Sequence, residues 1–159
     1  MDGETEVDDP IDSDVDLRVP AQRAELVRHH GSVLGVIAFG GGLGALARYG
    51  LARLMPTQPG HFPWATFLTN VVGCLLIGVL MVVITDVVVA HRLVRPFLGV
   101  GVLGGFTTFS TYAIEIHGLL TPGTVTLAFA YLAGTLIAAM LAVLAGVLAT
   151  RAITGRGEA

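Results

Sequence analysis

Two polar side chains lie within one apolar stretch and share a face of its expected helix. Thr66 and Asn70 are four residues apart, a spacing that places both on the same side of an α-helix. A threonine can satisfy its hydroxyl through its own backbone, whereas an asparagine carries a donor and an acceptor that both need partners. Asn70 is therefore predicted either to bond a neighbouring helix or to line a permeation path.

The segment at 99–112 has a low helix propensity. Four glycines fall within the seven residues 99–105, and aromatic rings then alternate with hydroxyl groups at Phe109, Ser110, Thr111 and Tyr112. Interrupted helices at membrane depth occur where the freed backbone is buried in protein or lines a wet cavity, and they can bind ions. Because ring edges are positive, the pattern indicates an anion path with few fixed charges. The alternative is a kinked structural helix.

Other polar and small residues allow more than one interpretation. Gly40 and Gly44, four residues apart, predict close helix contact, although the stretch also fits a loose dinucleotide-binding pattern without its acidic residue or strands. Arg48 either snorkels to the membrane interface or donates to the carbonyls of a neighbouring helix. Tyr131 and Thr135 share a face of the last segment.

Residues suited to catalysis or metal binding are scarce. Ser110 has no histidine or carboxylate at a suitable depth, so an enzyme is not expected. Glu115 and His117 are two residues apart and point to different helix faces, which argues against a metal or proton-relay pair. Cys74 is the only cysteine and lies in an apolar run, as a small buried hydrophobe would.

Composition indicates that the elements carrying these residues lie in a membrane. The 159 residues are 53% hydrophobic with a mean hydropathy of +0.77, and 13% are charged, against about 25% in soluble domains. Four segments reach the roughly 20 apolar residues that span a bilayer. They run from 32 to about 55, 62 to 85, 96 to about 117, and 125 to 150. The fold class is therefore expected to be an all-α membrane bundle of four helices, with the third expected to be broken at the glycine-rich stretch 99–112.

Charge separates the tails from the membrane domain. Nine of the twelve acidic residues lie in the first 25 positions, so residues 1–30 are predicted to be a disordered, acidic, cytoplasmic tail. Residues 31–152 form the membrane domain, and 153–159 a short C-terminal tail. Seven of the nine arginines fall on one side of the four spans. By the positive-inside rule, both termini of this multi-pass cell-membrane protein are cytoplasmic.

Three stretches together resemble the Fluc or CrcB family of small fluoride channels. They are GGGLGALARYG at 40–50, FPWATFLTNVVGCLLIG at 62–78 and GVGVLGGFTTFSTYAIE at 99–115. The likeness covers residues 33–150. It implies a fluoride-exporting channel that reduces fluoride toxicity, built as a dimer of antiparallel subunits.

The resemblance also implies roles for individual residues. A structural Na⁺, which is not transported, is held by the backbone carbonyls of Gly104 and Thr107. Asn70 matches the pore-lining asparagine, and Thr66 matches its helical neighbour. Phe109 matches an aromatic that faces fluoride, and Arg48 matches an arginine of the first helix. The polar track along the pore falls on Ser110, Thr111, Tyr131 and Thr135.

Two features depart from the family pattern. The second pore aromatic is usually phenylalanine, and here it is Tyr112, whose hydroxyl must be bonded or hydrated. Homodimeric members insert in both orientations and carry similar numbers of arginines on the two sides of the membrane. Here seven arginines fall on one side and two on the other. We therefore expect insertion in one orientation and an antiparallel partner that is either a second copy or, as the imbalance favours, an opposite-topology paralogue.

Two other functions compete with a channel. A small dual-topology multidrug exporter needs a membrane-embedded carboxylate in its first helix, and residues 31–55 contain no Asp or Glu. A membrane assembly subunit that transports nothing would not need a broken polar helix. No nucleic-acid partner is expected; the partners are fluoride, lipid and the second subunit.

Overall fold

The structure is a computed structural model that describes residues 20–87 and 91–155, with side chains described from residue 31. Helices α1 (Pro20–Leu54) and α2 (Trp64–Val82) come first, and α2 continues into a π-helical turn, Val83–Val87. A second π-helical stretch, Arg95–Leu103, leads into α3 (Gly104–Phe106). Helices α4 (Ser110–Leu119) and α5 (Val125–Thr154) complete the chain. The described residues contain no strand.

Four helical segments are long and apolar enough to cross a membrane. They are Gly31–Leu54, Trp64–Val87, Arg95–Leu119 and Val125–Thr154. The predicted all-helical fold with four spans is confirmed, and each span begins and ends within a few residues of its expected position. Gly155 follows the last span, and its φ of 69° is the left-handed conformation that glycine adopts readily.

The contacts within the chain divide it into two units, Met1–Ser32 and Val33–Ala159. In the first unit, residues 20–32 are helical, so α1 begins before residue 31, where the sequence placed the end of the tail. Proline is favoured in a first helical turn, and the Ala, Gln, Arg, Glu and Leu that follow Pro20 are good helix formers. The rest of the predicted acidic tail, 1–19, and the end of the predicted C-terminal tail, 156–159, lie outside the described residues.

Glycines bring the backbones of neighbouring spans into contact, as the four-residue spacing of Gly40 and Gly44 predicted. A Cβ at Gly40 or Gly44 would collide with the carbonyl oxygen of Phe97 or Val102 in the third span. Helices α2 and α5 meet in the same way at Gly78 and Gly146, where a Cβ would collide with the facing backbone. These contacts need residues without side chains, as in other membrane helix interfaces.

The outer surface of the second unit is apolar and its small core is aromatic. Large side chains such as Phe39, Leu46 and Met140 are mostly exposed, as expected for helices that meet lipid or another subunit. The buried cluster contains Tyr112, Leu119, Ala128 and Tyr131. Tyr131 is 0% exposed and stands at its centre.

The third span changes conformation near its middle. Helix α3 ends at Phe106, Thr107 is extended (φ −72°, ψ 158°), and α4 begins at Ser110. The Thr107 N–H still donates to Leu103 O, and Phe109 O still accepts from the Ala113 N–H, so the helical pattern is interrupted around Thr108. The backbone of Thr108 bonds a side chain of α2, as described next.

Candidate functional site

The side-chain amide of Asn70 forms two hydrogen bonds with the backbone of Thr108, one as donor and one as acceptor. Its Nδ2 donates to the Thr108 carbonyl oxygen at 3.0 Å, and the Thr108 N–H donates to its Oδ1 at 2.9 Å. The amide thus replaces the helical partners that Thr108 lacks. Of the two interpretations of Asn70, the bond to a neighbouring segment is present, and the side chain also lines a cavity described below.

Thr108 lies two residues before α4 and bonds its first turn, a role that the sequence analysis missed. Its Oγ1 accepts a hydrogen bond from the Thr111 N–H at 3.2 Å and donates to the Thr111 hydroxyl at 3.1 Å. This is the side-chain bond that helix starts use to satisfy a free amide. A hydroxyl residue two positions before a short helical stretch was the available signal.

The backbone around this interruption has carbonyl groups whose usual donors are used elsewhere. In a continuous helix, Gly104 O would accept from Thr108 N and Thr107 O from Thr111 N. Those two amides donate to Asn70 Oδ1 and Thr108 Oγ1 instead. The carbonyls of Gly104 and Thr107 therefore fit the oxygen-donor chemistry that a hard cation such as Na⁺ requires.

Arg48 is bonded to the same segment. Its Nε donates to the carbonyl oxygen of Gly105 at 3.3 Å. Of the two interpretations of Arg48, donation to a neighbouring carbonyl is therefore the one that the structure shows. The bond places a fixed positive charge close to the interruption.

A cavity of about 230 Å³ lies beside residues 107–109, and we call it the Thr135 cavity. Its lining consists of Asn70, Cys74, Thr107, Thr108, Phe109, Tyr112, Thr135, Leu136 and Ala139. Thr135 is 4% exposed, and its hydroxyl has no hydrogen-bond partner in the described part of the chain. A buried hydroxyl left in this way favours a bound water or ligand. The lining contains no Asp, Glu, Lys or Arg.

The two aromatic residues of the cavity differ in exposure. Phe109 is 77% exposed, whereas Tyr112 is buried, and their ring centroids are 5.9 Å apart. The Tyr112 hydroxyl donates to the Leu132 carbonyl oxygen at 2.7 Å. The hydroxyl that departs from the family pattern is thus bonded to α5.

A second cavity, of about 280 Å³, shares Thr108 with the first, and we call it the Arg48 cavity. Its lining consists of Ala45, Arg48, Tyr49, Ala52, Ala65, Thr66, Thr69, Thr108 and Thr111. Thr108 lines both cavities. Ser110 and Tyr131, two residues of the predicted polar track, line neither; Ser110 is exposed and Tyr131 is fully buried.

Glu115 joins three helices and was missed as a site residue. Its carboxylate accepts hydrogen bonds from the Thr66 hydroxyl at 2.8 Å and the Tyr131 hydroxyl at 2.7 Å. The sequence analysis considered Glu115 only as a partner of His117. A single carboxylate inside an apolar span was itself the signal, because such groups are costly unless paired.

Comparison with known proteins identifies the family. The model of the family described as "CrcB-like protein, Camphor Resistance (CrcB)" matches residues 35–147. The chain belongs to the CrcB family. The resemblance inferred from residues 40–50, 62–78 and 99–115 is therefore confirmed.

Curated CrcB relatives carry names that describe ion channels. The chain is 58% identical over 124 residues to "Fluoride-specific ion channel FluC 2" of Nocardia farcinica, a match that covers 78% of this chain and 89% of the relative. It is 60% identical over 120 residues to "Fluoride-specific ion channel FluC 2" of Streptomyces avermitilis, covering 76% of both. These are channel names, so the expectation that the chain is not an enzyme is confirmed.

One organism carries a second, more distant relative. "Fluoride-specific ion channel FluC 3" of Streptomyces avermitilis is 43% identical over 110 residues, 69% of this chain and 54% of the relative. Two CrcB-family proteins thus occur together in that species.

Proposed function

We propose that this chain is a subunit of a fluoride-selective channel through which F⁻ leaves the cell passively. The observation that carries the proposal is the Thr135 cavity, which combines neutral polar side chains, aromatic rings and a buried hydroxyl without a partner. The names of the CrcB relatives supply the identity of the anion. A weak acid such as HF crosses membranes uncharged and dissociates in a more alkaline cytoplasm, so a passive pathway lets the membrane potential drive F⁻ out.

The lining of the cavity suits a small, strongly hydrated anion. Such an ion enters only where hydrogen-bond donors replace its water. The Asn70 amide has two N–H groups, and the bond to Thr108 uses one of them, which leaves the other for the cavity. Thr135 offers its hydroxyl, and Phe109 offers a positive ring edge.

The Arg48 cavity supplies an approach to this site. It is lined by the hydroxyl residues Thr66, Thr69 and Thr111, together with one guanidinium. A positive group beside a low-dielectric path attracts anions. Thr108, common to both cavities, then lies between the approach and the Thr135 cavity.

We assign the interruption at residues 107–109 to the broken third helix that the resemblance implies. The carbonyls of Gly104 and Thr107 would hold the structural Na⁺, since their helical donors are engaged by Asn70 and Thr108. A bound cation supplies a positive potential that favours an anion nearby. Asn70 and Thr108 fix the backbone from which these carbonyls project.

A second, antiparallel subunit completes the pathway. Phe109 lines the Thr135 cavity yet is 77% exposed in the single chain, so its ring needs a partner to enclose it. The arginine distribution supports cytoplasmic termini for this subunit and favours one orientation. A CrcB paralogue inserted the opposite way fits that bias, and Streptomyces avermitilis carries two relatives with fluoride-channel names.

Fluoride efflux from liposomes tests the proposal. Purified chain is reconstituted alone and release is followed with a fluoride electrode, then repeated with chloride. We expect rapid release of fluoride and none of chloride from the active assembly. Activity of the chain alone would refute the need for a paralogue. Absence of fluoride release both alone and with each opposite-topology paralogue would refute the channel.

A further inference from the structure

The polar face of α2 extends one turn beyond the residues assigned so far. Thr66, Asn70 and Cys74 follow each other at intervals of four and therefore form one stripe. Thr66 bonds Glu115, and Asn70 bonds Thr108. Cys74 is partly exposed and lines the Thr135 cavity next to Asn70 in this stripe.

A second observation marks this part of the cavity as suited to a ligand. The buried hydroxyl of Thr135, which has no partner among the described residues, belongs to the same lining as Cys74. The cavity, at about 230 Å³, has room for several atoms beyond a water molecule. A thiol on its wall is therefore accessible to a small reagent, in contrast to the small buried hydrophobe that the sequence predicted.

We propose that Cys74 is a thiol-modification site inside the Thr135 cavity, where a small thiol-reactive group obstructs the anion path. The inference rests on the proposed function only for its effect on flux; the position of the thiol is independent of it. Fluoride does not react with a thiol, so the transported ion would not modify the site. The site would instead make the channel sensitive to thiol-reactive compounds.

Methyl methanethiosulfonate is a suitable probe because it is small and uncharged. The Cys74 thiolate attacks the divalent sulfur of the reagent, so a Cys–S–S–CH₃ bond forms and the bond to the sulfonyl group breaks. Methanesulfinate leaves with the electron pair, and the thiol proton passes to solvent. The thiol sulfur is oxidised and the sulfonyl sulfur is reduced. Since Cys74 is the only cysteine, one thiomethyl group per chain reports this site alone.

The first experiment measures the labelling rate of the reconstituted full chain by intact mass. Two substitutions at Thr135 form a matched pair: Thr135→Leu fills part of the cavity, whereas Thr135→Ser keeps the hydroxyl and removes only a methyl group. We expect Cys74 to react in the native protein, with labelling slowed about tenfold or more by Thr135→Leu and unchanged by Thr135→Ser. Reaction only after denaturation, or equal rates in the two variants, would overturn the site.

The second experiment measures, for each variant, the ratio of the fluoride efflux rate after treatment with methyl methanethiosulfonate to the rate without treatment. We expect labelling to reduce efflux about tenfold or more, and dithiothreitol to restore it. Cys74→Ala should lose the effect. Ile153→Cys in the Cys74→Ala background, at a position 86% exposed near the end of α5, should react without changing the ratio. Full labelling of Cys74 with unchanged efflux would overturn the obstruction.

The two readouts separate this inference from the proposed function. Mass labelling needs no conduction. A chain that labels as expected, yet carries no fluoride with any partner, therefore supports the thiol site and refutes the channel. A chain that conducts fluoride but does not label refutes the thiol site alone.

Discussion

The side chain of Asn70 and the backbone of Thr108 exchange two hydrogen bonds, of 3.0 and 2.9 Å, between residues 38 positions apart. The pair gives the non-helical backbone of the third span the partners that a helix would have supplied. It also leaves one amide N–H of Asn70 for the Thr135 cavity. A single residue thus contributes to the shape of the interruption and to the cavity beside it.

Replacement of Asn70 by alanine tests this double contribution. The change leaves the N–H and carbonyl of Thr108 without partners, at a cost of about 1–3 kcal/mol for each buried group. We expect Asn70→Ala to lower the unfolding temperature in detergent and to abolish fluoride efflux. Leu76→Ala, on the exposed side of the same helix, is the control. Full efflux by a well-folded Asn70→Ala protein would contradict the assignment.

The hydroxyl of Tyr112 is expected to matter for packing more than for conduction. It donates to the carbonyl of Leu132, so Tyr112→Phe removes one bond worth about 0.5–1.5 kcal/mol and keeps the ring. We expect slightly lower thermal stability, with fluoride efflux and chloride exclusion close to wild type. A marked change in fluoride-to-chloride selectivity would show instead that the hydroxyl takes part in the pathway.

Phe109 is expected to act on conduction without supporting the fold of the single chain. Its ring is mostly exposed, so Phe109→Ile should leave the unfolding temperature nearly unchanged while removing the positive ring edge from the cavity. We expect clearly weakened fluoride efflux from a dimer verified by size. Phe129→Ile, which alters an exposed ring of α5 outside the cavity, provides the comparison. Equal efflux from both variants would remove Phe109 from the pathway.

Glu115 is expected to stabilise the junction of α2, α4 and α5. Its two oxygens accept from Thr66 and Tyr131, and bonds to a charged group contribute about 1.5–3 kcal/mol each. Thermal unfolding of Glu115→Gln, Tyr131→Phe and the double variant measures their coupling. We expect the double variant to lose less stability than the two single losses combined, because the residues share one bond. Additive losses would mean that this bond contributes little.

Gly146 is expected to tolerate no side chain, whereas Gly134 on the same helix tolerates one. A Cβ at Gly146 would collide with the backbone of Leu75, while none of the described atoms lies within 4 Å of a Cβ at Gly134. Gly146→Ala should destabilise the chain by about 1–3 kcal/mol through overpacking. Gly134→Ala should be neutral or stabilising because alanine favours helix. Unfolding in detergent compares them, and equal stabilities would count against the close α2–α5 contact.

The sequence by itself determined the elements and their faces. Apolar length fixed the four spans, since a bilayer requires about 20 apolar residues of each helix. Helical periodicity placed Thr66 with Asn70 and Tyr131 with Thr135, because residues four apart share a face in any helix. The motifs at 40–50, 62–78 and 99–115 identified the CrcB family.

Only the tertiary structure decided what those faces meet. Arg48 donates to Gly105 across 57 positions, and Thr66 to Glu115 across 49. Periodicity describes one helix at a time, so it left Arg48 between two interpretations and overlooked Glu115. The partner of a polar group is set by how helices pack, and that packing depends on close backbone contacts such as those at Gly44 and Gly146.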